Sequence, residues 1–208
     1  MGDWKPAHWY DDTEKWMHEL KYKPPWPAKA WWVHRFSEMA RKVDDPHRPI
    51  LDLGCGNGLF PAFLNERDYE GQYVGLDFSD GSLARASRGN WEEGGLATAK
   101  FFQCDLEQAD VGQLLEKYFP GENPLVTCAE VLEHMKDDVR LLMTIPTGVE
   151  VMLTIPRADA EAHVRCFPEP EDVLYRYGHL FGDVQLAWLR HPSRQRTGWC
   201  HMLRGVRK

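Results

Sequence analysis

Short apolar runs alternate with stretches of helical periodicity from residue 50 onward. Five such runs recur roughly every 20 to 25 residues, and they read ILDLG, YVGLDF, KFFQCDL, PLVTCAEV and VEVMLTIP. Strands that alternate with helices in this way are typical of an open, mostly parallel sheet with helices on both faces. The pattern therefore predicts a doubly wound α/β fold.

The C-terminal part of the chain has a different pattern. The runs DVQLAWLR, residues 183–190, and GWCHMLRG, residues 198–205, are separated only by HPSRQRT. A link this short permits a hairpin and excludes the helical crossover that joins parallel strands. The sheet is therefore predicted to end with an antiparallel strand.

An aromatic-rich segment precedes the alternating pattern. Six of the nine tryptophans lie within the first 32 residues. Prolines at positions 24, 25 and 27 exclude a helix there, and apolar residues then recur at helical spacing between Ala28 and Val43. We divide the chain into an N-terminal arm with one helix, residues 1–48, and a main domain, residues 49–208.

Composition restricts the class of protein further. With 208 residues, 43% of them hydrophobic, the chain is long enough to bury the core of a globular domain. No run approaches the roughly 18 apolar residues of a membrane span, and the polar, acidic start MGDWKPAHWYDD is unlike a secretory signal. We expect a cytoplasmic protein that does not enter a membrane.

The charge distribution leaves two classes of partner open. A formal net charge of -7 argues against a protein that coats duplex nucleic acid, because such binding depends on neutralising phosphates. The residues after Asp183, however, include six basic side chains and no acidic one. This basic C-terminal edge is either a solvated tail or a surface for an anionic substrate such as a nucleic acid.

A glycine-rich loop follows the first predicted strand, in the string DLGCGNG from Asp52 to Gly58. Alternate glycines let the backbone turn tightly and approach a ligand, and Asp77 at the end of the second strand can accept both hydroxyls of a ribose. The string lacks the patterns of a dinucleotide site and of a P-loop. Asp52 would repel a phosphate and favour a cation, which fits S-adenosylmethionine.

Four motifs in this order resemble those of class I S-adenosylmethionine-dependent methyltransferases. They are DLGCGNG, YVGLDFS, FFQCDLEQ and CAEVLEHMKDD, which lie between about Pro49 and Pro156. The resemblance implies a Rossmann-like, seven-stranded sheet with an antiparallel last strand. It also implies which residues contact the cofactor. The methionine part would be lined by Asp52, Gly54, Gly56 and Gly58, the ribose by Asp77, the adenine by Asp105 and Leu106, and the sulfonium by Glu130. Cys55 and Phe78 are further predicted cofactor contacts.

The string AEVLEH carries the candidate catalytic residues Glu130, Glu133 and His134. Their spacing puts them on neighbouring positions of a helical turn. In one interpretation Glu130 contacts the cofactor and His134 is a structural residue or a general base. In a second, all three join His163 to hold Mg²⁺ or another divalent cation, similar to small-RNA 2'-O-methyltransferases and some ubiquinone-pathway O-methyltransferases. In a third they only cap and solubilise a helix.

The loop after the fifth strand, IPRADAEAHVRCFPEPEDV, resembles a substrate loop of small bacterial and phage-like methyltransferases. Arg157 and Arg165 are therefore predicted to face the substrate, and His163 to face the substrate or the metal. His163 is equally well explained as a loop histidine without a function.

The aromatic side chains of the arm have two interpretations. They pack over the sheet edge, or they form a lid that excludes water from the ligands. As a lid, Tyr10 would contact the cofactor, and Trp26 and Trp31 the substrate.

We expect O-methylation of a small or glycan-like acceptor by a monomer or homodimer. One alternative is a nucleic-acid or nucleotide methyltransferase that uses the basic C-terminal edge. Another is a non-catalytic, cofactor-binding subunit of a partner enzyme, although Glu130, Glu133 and His134 argue against it.

Overall fold

The structure is a computed structural model that describes residues 31–92, 95–190 and 198–208. The helices are α1 (Trp31–Arg41), α2 (Leu59–Asn65), α3 (Asp80–Glu92), α4 (Val111–Tyr118), α5 (Asp138–Met143) and α6 (Pro170–Tyr177), with a 3-10 turn at Gly178–Leu180. The strands are β1 (Ile50–Leu53), β2 (Tyr73–Asp77), β3 (Ala99–Gln103), β4 (Leu125–Ala129), β5 (Glu150–Pro156), β6 (Phe181–Arg190) and β7 (Gly198–Arg207).

All seven strands belong to one sheet in the order β3-β2-β1-β4-β5-β7-β6. Strands β1 to β5 pair in parallel, whereas β7 lies between β5 and β6 and is antiparallel to both. The predicted Rossmann-like α/β fold and its antiparallel last strand are confirmed. The short link between β6 and β7 is the reason, because it leaves no length for a helical crossover.

Helices cover both faces of the sheet. On one face, Leu53 and Leu153 of the strands belong to a buried cluster with Leu115 of α4, Leu141 of α5 and Tyr177 of α6. A second buried cluster contains Trp32 and Met39 of α1, Phe60 of α2, and Ile50 and Tyr73 of the strands. The helix predicted within 28–43 is thus confirmed from Trp31 onward, with its apolar stripe against α2.

The strand order reverses between β1 and β4. In open α/β sheets the carboxyl ends of the strands on either side of such a reversal form the ligand crevice. Leu53 of β1 is in register with Cys128 of β4, so the residues that follow each strand meet at this edge. The glycine-rich loop and Glu130 are both located there.

The helices are short. The longest described helix, α3, has 13 residues, against about 20 for a membrane span. Among the described residues, no helix is long and apolar enough to cross a membrane.

Candidate functional site

The glycine-rich loop contacts the residue that follows Glu130. Gly54 has φ +76°, and a Cβ added to it would lie 2.3 Å from Cγ2 of Val131. At Gly56, which has φ +53°, an added Cβ would meet nothing within 4 Å. The loop is therefore tightly packed at Gly54 and faces open space at Gly56.

Asp77 accepts hydrogen bonds from two backbone amides. The amide of Gly56 donates to its Oδ2 and the amide of Ser79 to its Oδ1, each over 2.9 Å. The carboxylate is thus held between the glycine-rich loop and the start of α3. The structure brings together the loop and the acidic residue that the sequence assigned to one nucleoside site, and the ribose contact itself stays a prediction.

Asp52 is buried beside side chains of the two neighbouring strands. Its carboxyl is 3% exposed, and it accepts hydrogen bonds from the hydroxyls of Thr127 and Tyr73 on the two neighbouring strands. Burial raises the pKa of Asp52 to about 6, although the two hydroxyl donors act in the opposite direction. These partners make Asp52 a structural link between β1, β2 and β4, and its contact with the cofactor stays a prediction.

The other predicted cofactor residues lie along the same edge. Cys55 is buried within the loop, and Phe78 follows β2 directly. After β3, Asp105 is exposed and Leu106 is buried. All of them therefore follow the carboxyl ends of strands β1 to β3, as a shared ligand site requires.

Glu130 has an unusual backbone and an ion-pair partner. Its φ is +57°, in the left-handed region that non-glycine residues seldom adopt. Its Oε2 lies 3.2 Å from Nη1 of Arg35 on α1, and both side chains are largely buried. Burial raises the pKa of Glu130, while the positive charge of Arg35 lowers it.

Sequence reasoning missed Arg35, which it treated as a polar residue between apolar positions. The feature of the sequence that could have revealed a role for Arg35 was its position on the helix. Arg35 lies three residues after Trp32 and four before Met39, on the stripe that faces the core. A charged residue there needs a buried partner.

Three of the four predicted metal ligands lie together. Glu133, His134 and His163 each have one potential ligand atom within 4.8 Å of those of the other two. No other such group occurs in the described part of the chain. The two imidazole rings are 4.8 Å apart at 80°. Glu130 is the exception to the predicted set, because its carboxylate pairs with Arg35 instead.

Backbone carbonyls fix the tautomers of the two histidines. Nδ1 of His134 lies 3.1 Å from the oxygen of Ala162, and Nδ1 of His163 lies 3.1 Å from the oxygen of Ala158. A carbonyl only accepts, so each Nδ1 must donate and each neutral ring carries its lone pair on Nε2. Burial lowers the pKa of His134 to about 4 and also lowers the pKa of His163.

Glu133 is fully buried. Neither of its carboxyl oxygens has a hydrogen-bond partner among the described residues, and Oε1 lies 3.5 Å from Nε2 of His134. Burial, and then the negative charge of Glu130, raise the pKa of Glu133 well above its usual range. A buried carboxyl without a donor is costly unless a cation or proton accompanies it.

The residues after Glu130 form a single turn and not the start of a continuous helix. The amide of His134 donates to the oxygen of Val131 over 2.9 Å, and α5 begins only at Asp138. The side chain of Asp137 caps α5 by accepting a hydrogen bond from the amide of Arg140 over 3.2 Å.

Arg165 holds this turn against the loop after β5. Its guanidinium donates to the carbonyl oxygens of Leu132, Met135 and Lys136, over 2.6, 2.5 and 3.1 Å, and lies 3.3 Å from Asp138. The amide of Val164 also donates to the oxygen of Glu133 over 2.9 Å. These contacts give Arg165 a structural role, and its predicted contact with the substrate stays a prediction.

Of the other residues predicted to contact the substrate or the cofactor from the arm and the loop after β5, only Arg157 has a described side chain. Arg157 pairs with Glu169 over 3.0 Å and lies 5.2 Å above the ring of Trp188, so its charge is balanced within the protein. Tyr10 and Trp26 lie outside the described residues. Trp31 begins α1, but its side chain is not described.

Two residues of the basic C-terminal edge have internal partners. Arg204 pairs with Glu150 and, over 2.9 Å, with Asp44. Arg207 donates to the carbonyl oxygens of Leu142 and Leu180 over 3.3 and 3.1 Å. Neither guanidinium is therefore a simple solvated charge.

A family model for a methyltransferase domain matches residues 44–163, which are more than half of the chain. The chain belongs to this methyltransferase family. The motifs, the sheet order and the relatives identify it as a class I S-adenosylmethionine-dependent enzyme.

The curated relatives of this methyltransferase include O-methyltransferases. The ubiquinone biosynthesis O-methyltransferase of Pseudomonas paraeruginosa is 27% identical over 156 residues, which are 72% of this chain and 60% of that protein. Its namesake from Aromatoleum aromaticum is 29% identical over 135 residues, 63% of this chain and 48% of that protein. This chain thus spans 60% or less of the length of these two relatives.

Solved structures share the fold. The cyclase SpnF has a TM-score of 0.69 at 15% identity, with 100% of this chain and 99% of that chain covered. The methyltransferase domain of bacterial CtHen1-C has a TM-score of 0.63 at 19% identity, with 86% and 100% covered. Magnesium protoporphyrin IX methyltransferase of Synechocystis PCC 6803, with bound S-adenosylmethionine, has a TM-score of 0.55 at 18% identity, with 85% and 77% covered.

Proposed function

We propose that this methyltransferase methylates a hydroxyl oxygen of a small acceptor, such as a phenol or a sugar, beside Glu133, His134 and His163. The buried carboxyl of Glu133, which has no hydrogen-bond donor among the described residues and lies beside two neutral imidazoles, carries this proposal. A hydroxyl acceptor must lose its proton during methyl transfer, and basic groups at this edge of the sheet serve that step.

We propose further that these three side chains hold a divalent cation. The donor set fits one, because it offers one carboxylate oxygen and two Nε2 lone pairs, and a cation would balance the buried charge of Glu133. Two imidazole ligands favour a transition-metal dication over Mg²⁺, which prefers oxygen. A cation bound there would lower the pKa of the acceptor hydroxyl.

Two observations support a small acceptor. The two relatives described above, which match over 72% and 63% of this chain, are named ubiquinone biosynthesis O-methyltransferases. In addition, Arg204 and Arg207 of the basic C-terminal edge already have partners within the protein, which reduces the charge that this edge can offer to phosphates.

The experiment supplies tritiated S-adenosylmethionine together with phenols, sugars or a single-stranded RNA oligonucleotide, and then repeats each assay with EDTA. We expect labelled methyl ethers of a small acceptor, loss of labelling with EDTA, and recovery with Mn²⁺.

His134→Ala and His163→Ala should abolish transfer, whereas the exposed control His179→Ala should not. Labelling of the RNA alone would overturn the small acceptor. Activity that survives chelation would overturn the cation and leave the histidines as general bases.

A further inference from the structure

Arg35 links the N-terminal helix to the cofactor edge of the sheet. Helix α1 rests on α2, with Trp32 edge-on to Phe63 at 6.4 Å between ring centroids and Phe36 stacked on Phe60 at 6.0 Å. Helix α2 follows the glycine-rich loop directly. From this base the side chain of Arg35 reaches the end of β4 and pairs with Glu130.

Glu130 has a backbone conformation that a non-glycine residue disfavours. A left-handed φ costs a non-glycine residue conformational energy, and it persists only where surrounding contacts impose it. Contacts from β5 and from α1 act on Glu130. The amide of Glu130 donates to the oxygen of Thr154 on β5 over 2.9 Å, and the carboxylate meets Arg35 at 3.2 Å.

The position of Glu130 affects the cofactor loop through its neighbour. Val131 packs directly on Gly54, where an added Cβ would lie 2.3 Å from the valine side chain. A change in the backbone of Glu130 would therefore move Val131 against the glycine-rich loop. In a close-packed interior such a shift is transmitted to neighbouring atoms.

We propose that Arg35 is a positioning residue for the cofactor site, and that it acts by holding Glu130 in its left-handed conformation beside the glycine-rich loop. Arg35 itself does not touch the reacting atoms. It connects the packing of α1 to the geometry of the loop that binds S-adenosylmethionine. The arm thereby contributes to cofactor binding from within the described part of the chain.

A double-mutant cycle on cofactor affinity tests this proposal. S-adenosylmethionine is titrated by calorimetry into the full-length wild type, Arg35→Met, Glu130→Gln and the double variant, without acceptor or added metal. We expect Arg35→Met to lower the affinity about tenfold in the wild-type background and by less than about twofold in the Glu130→Gln background. Arg35→Lys, which keeps the charge, should recover most of the loss.

The matched control is Arg41→Met, because Arg41 lies on the same helix and is 63% exposed. It should bind S-adenosylmethionine as the wild type does. Thermal unfolding of every variant is recorded in parallel, since a purely structural ion pair would show coupling in stability and none in affinity.

Two results would overturn the proposal. One is an Arg35→Met variant that binds as tightly as the wild type. The other is an equal loss of affinity with and without the Glu130 carboxylate, which would assign the effect to packing of α1.

If Arg35→Met does not fold, the double variant is compared with Glu130→Gln alone. Equal affinities of these two variants support the proposal, and a lower affinity of the double variant contradicts it. Because neither acceptor nor cation takes part, the result is independent of the proposed function.

Discussion

Nδ1 of His134 lies 3.1 Å from the carbonyl oxygen of Ala162, and this contact joins the turn after β4 to the loop after β5. Val164 and Arg165 make further bonds between the same two segments. The three side chains of the proposed catalytic site come from both segments. Their mutual geometry therefore depends on how firmly the segments are held together.

Arg165→Met should loosen this connection. The substitution removes three charge-assisted bonds to carbonyl oxygens and one contact to Asp138. We expect the free energy of unfolding to fall by about 2 to 3 kcal/mol, and methyl transfer to fall with it because His163 is no longer held beside His134. Chemical denaturation and the transfer assay measure both effects. An Arg165→Met enzyme of wild-type stability would contradict this role.

Gly56→Ala should weaken cofactor binding more than it weakens the fold. The backbone at this position has φ +53°, so an alanine there costs about 1 to 2 kcal/mol of backbone strain. Its Cβ would project into open space, which is the space predicted for the cofactor. We expect a loss of S-adenosylmethionine affinity of about tenfold or more, measured by calorimetry.

Gly121→Ala is the matched control, because Gly121 also has a positive φ, +75°, and open space around its Cβ position. It lies in the segment before β4, at the opposite end of that strand from the glycine-rich loop. The two variants should lose similar stability, and only Gly56→Ala should lose affinity. Equal affinity in both variants would show that the open space at Gly56 is not the cofactor site.

Asp52 should make the stability depend on pH in an unusual direction. Its folded pKa of about 6 lies above the ordinary value of 3.8, so the folded state binds the proton more tightly than the unfolded state. The contribution of Asp52 is therefore fully present below about pH 3.8 and is lost as the pH rises through about 6, a change of about 3 kcal/mol. The difference in unfolding free energy between wild type and Asp52→Asn, followed from pH 4 to pH 7, should show this loss. A difference that does not change with pH would contradict the assignment.

The fold could be predicted from the sequence because its signals are local. Strand and helix periodicity alternate along the chain, and the length of the β6–β7 link alone decides that β7 is antiparallel. The glycine-rich loop and Asp77 were likewise found from their spacing, and the structure joins them through the amide of Gly56.

The errors concern contacts between distant parts of the chain. Spacing placed Glu130, Glu133 and His134 on one helical turn, whereas the bonded turn begins only at Val131, after the left-handed Glu130, and the next helix begins at Asp138. The same spacing grouped Glu130 with Glu133, whereas Arg35 from α1 holds its carboxylate. A helical pattern shows that Arg35 faces the core and does not show which buried group it meets.

Metal binding by Glu133, His134 and His163 tests the central claim most directly. Mn²⁺ is titrated into the protein and the free ion is followed by electron paramagnetic resonance, for the wild type, the His134→Ala/His163→Ala double variant and the His179→Ala control. We expect one bound Mn²⁺ per chain in the wild type and the control, and loss of that site in the double variant. No bound Mn²⁺ in the wild type, or equal binding in the double variant, would contradict it.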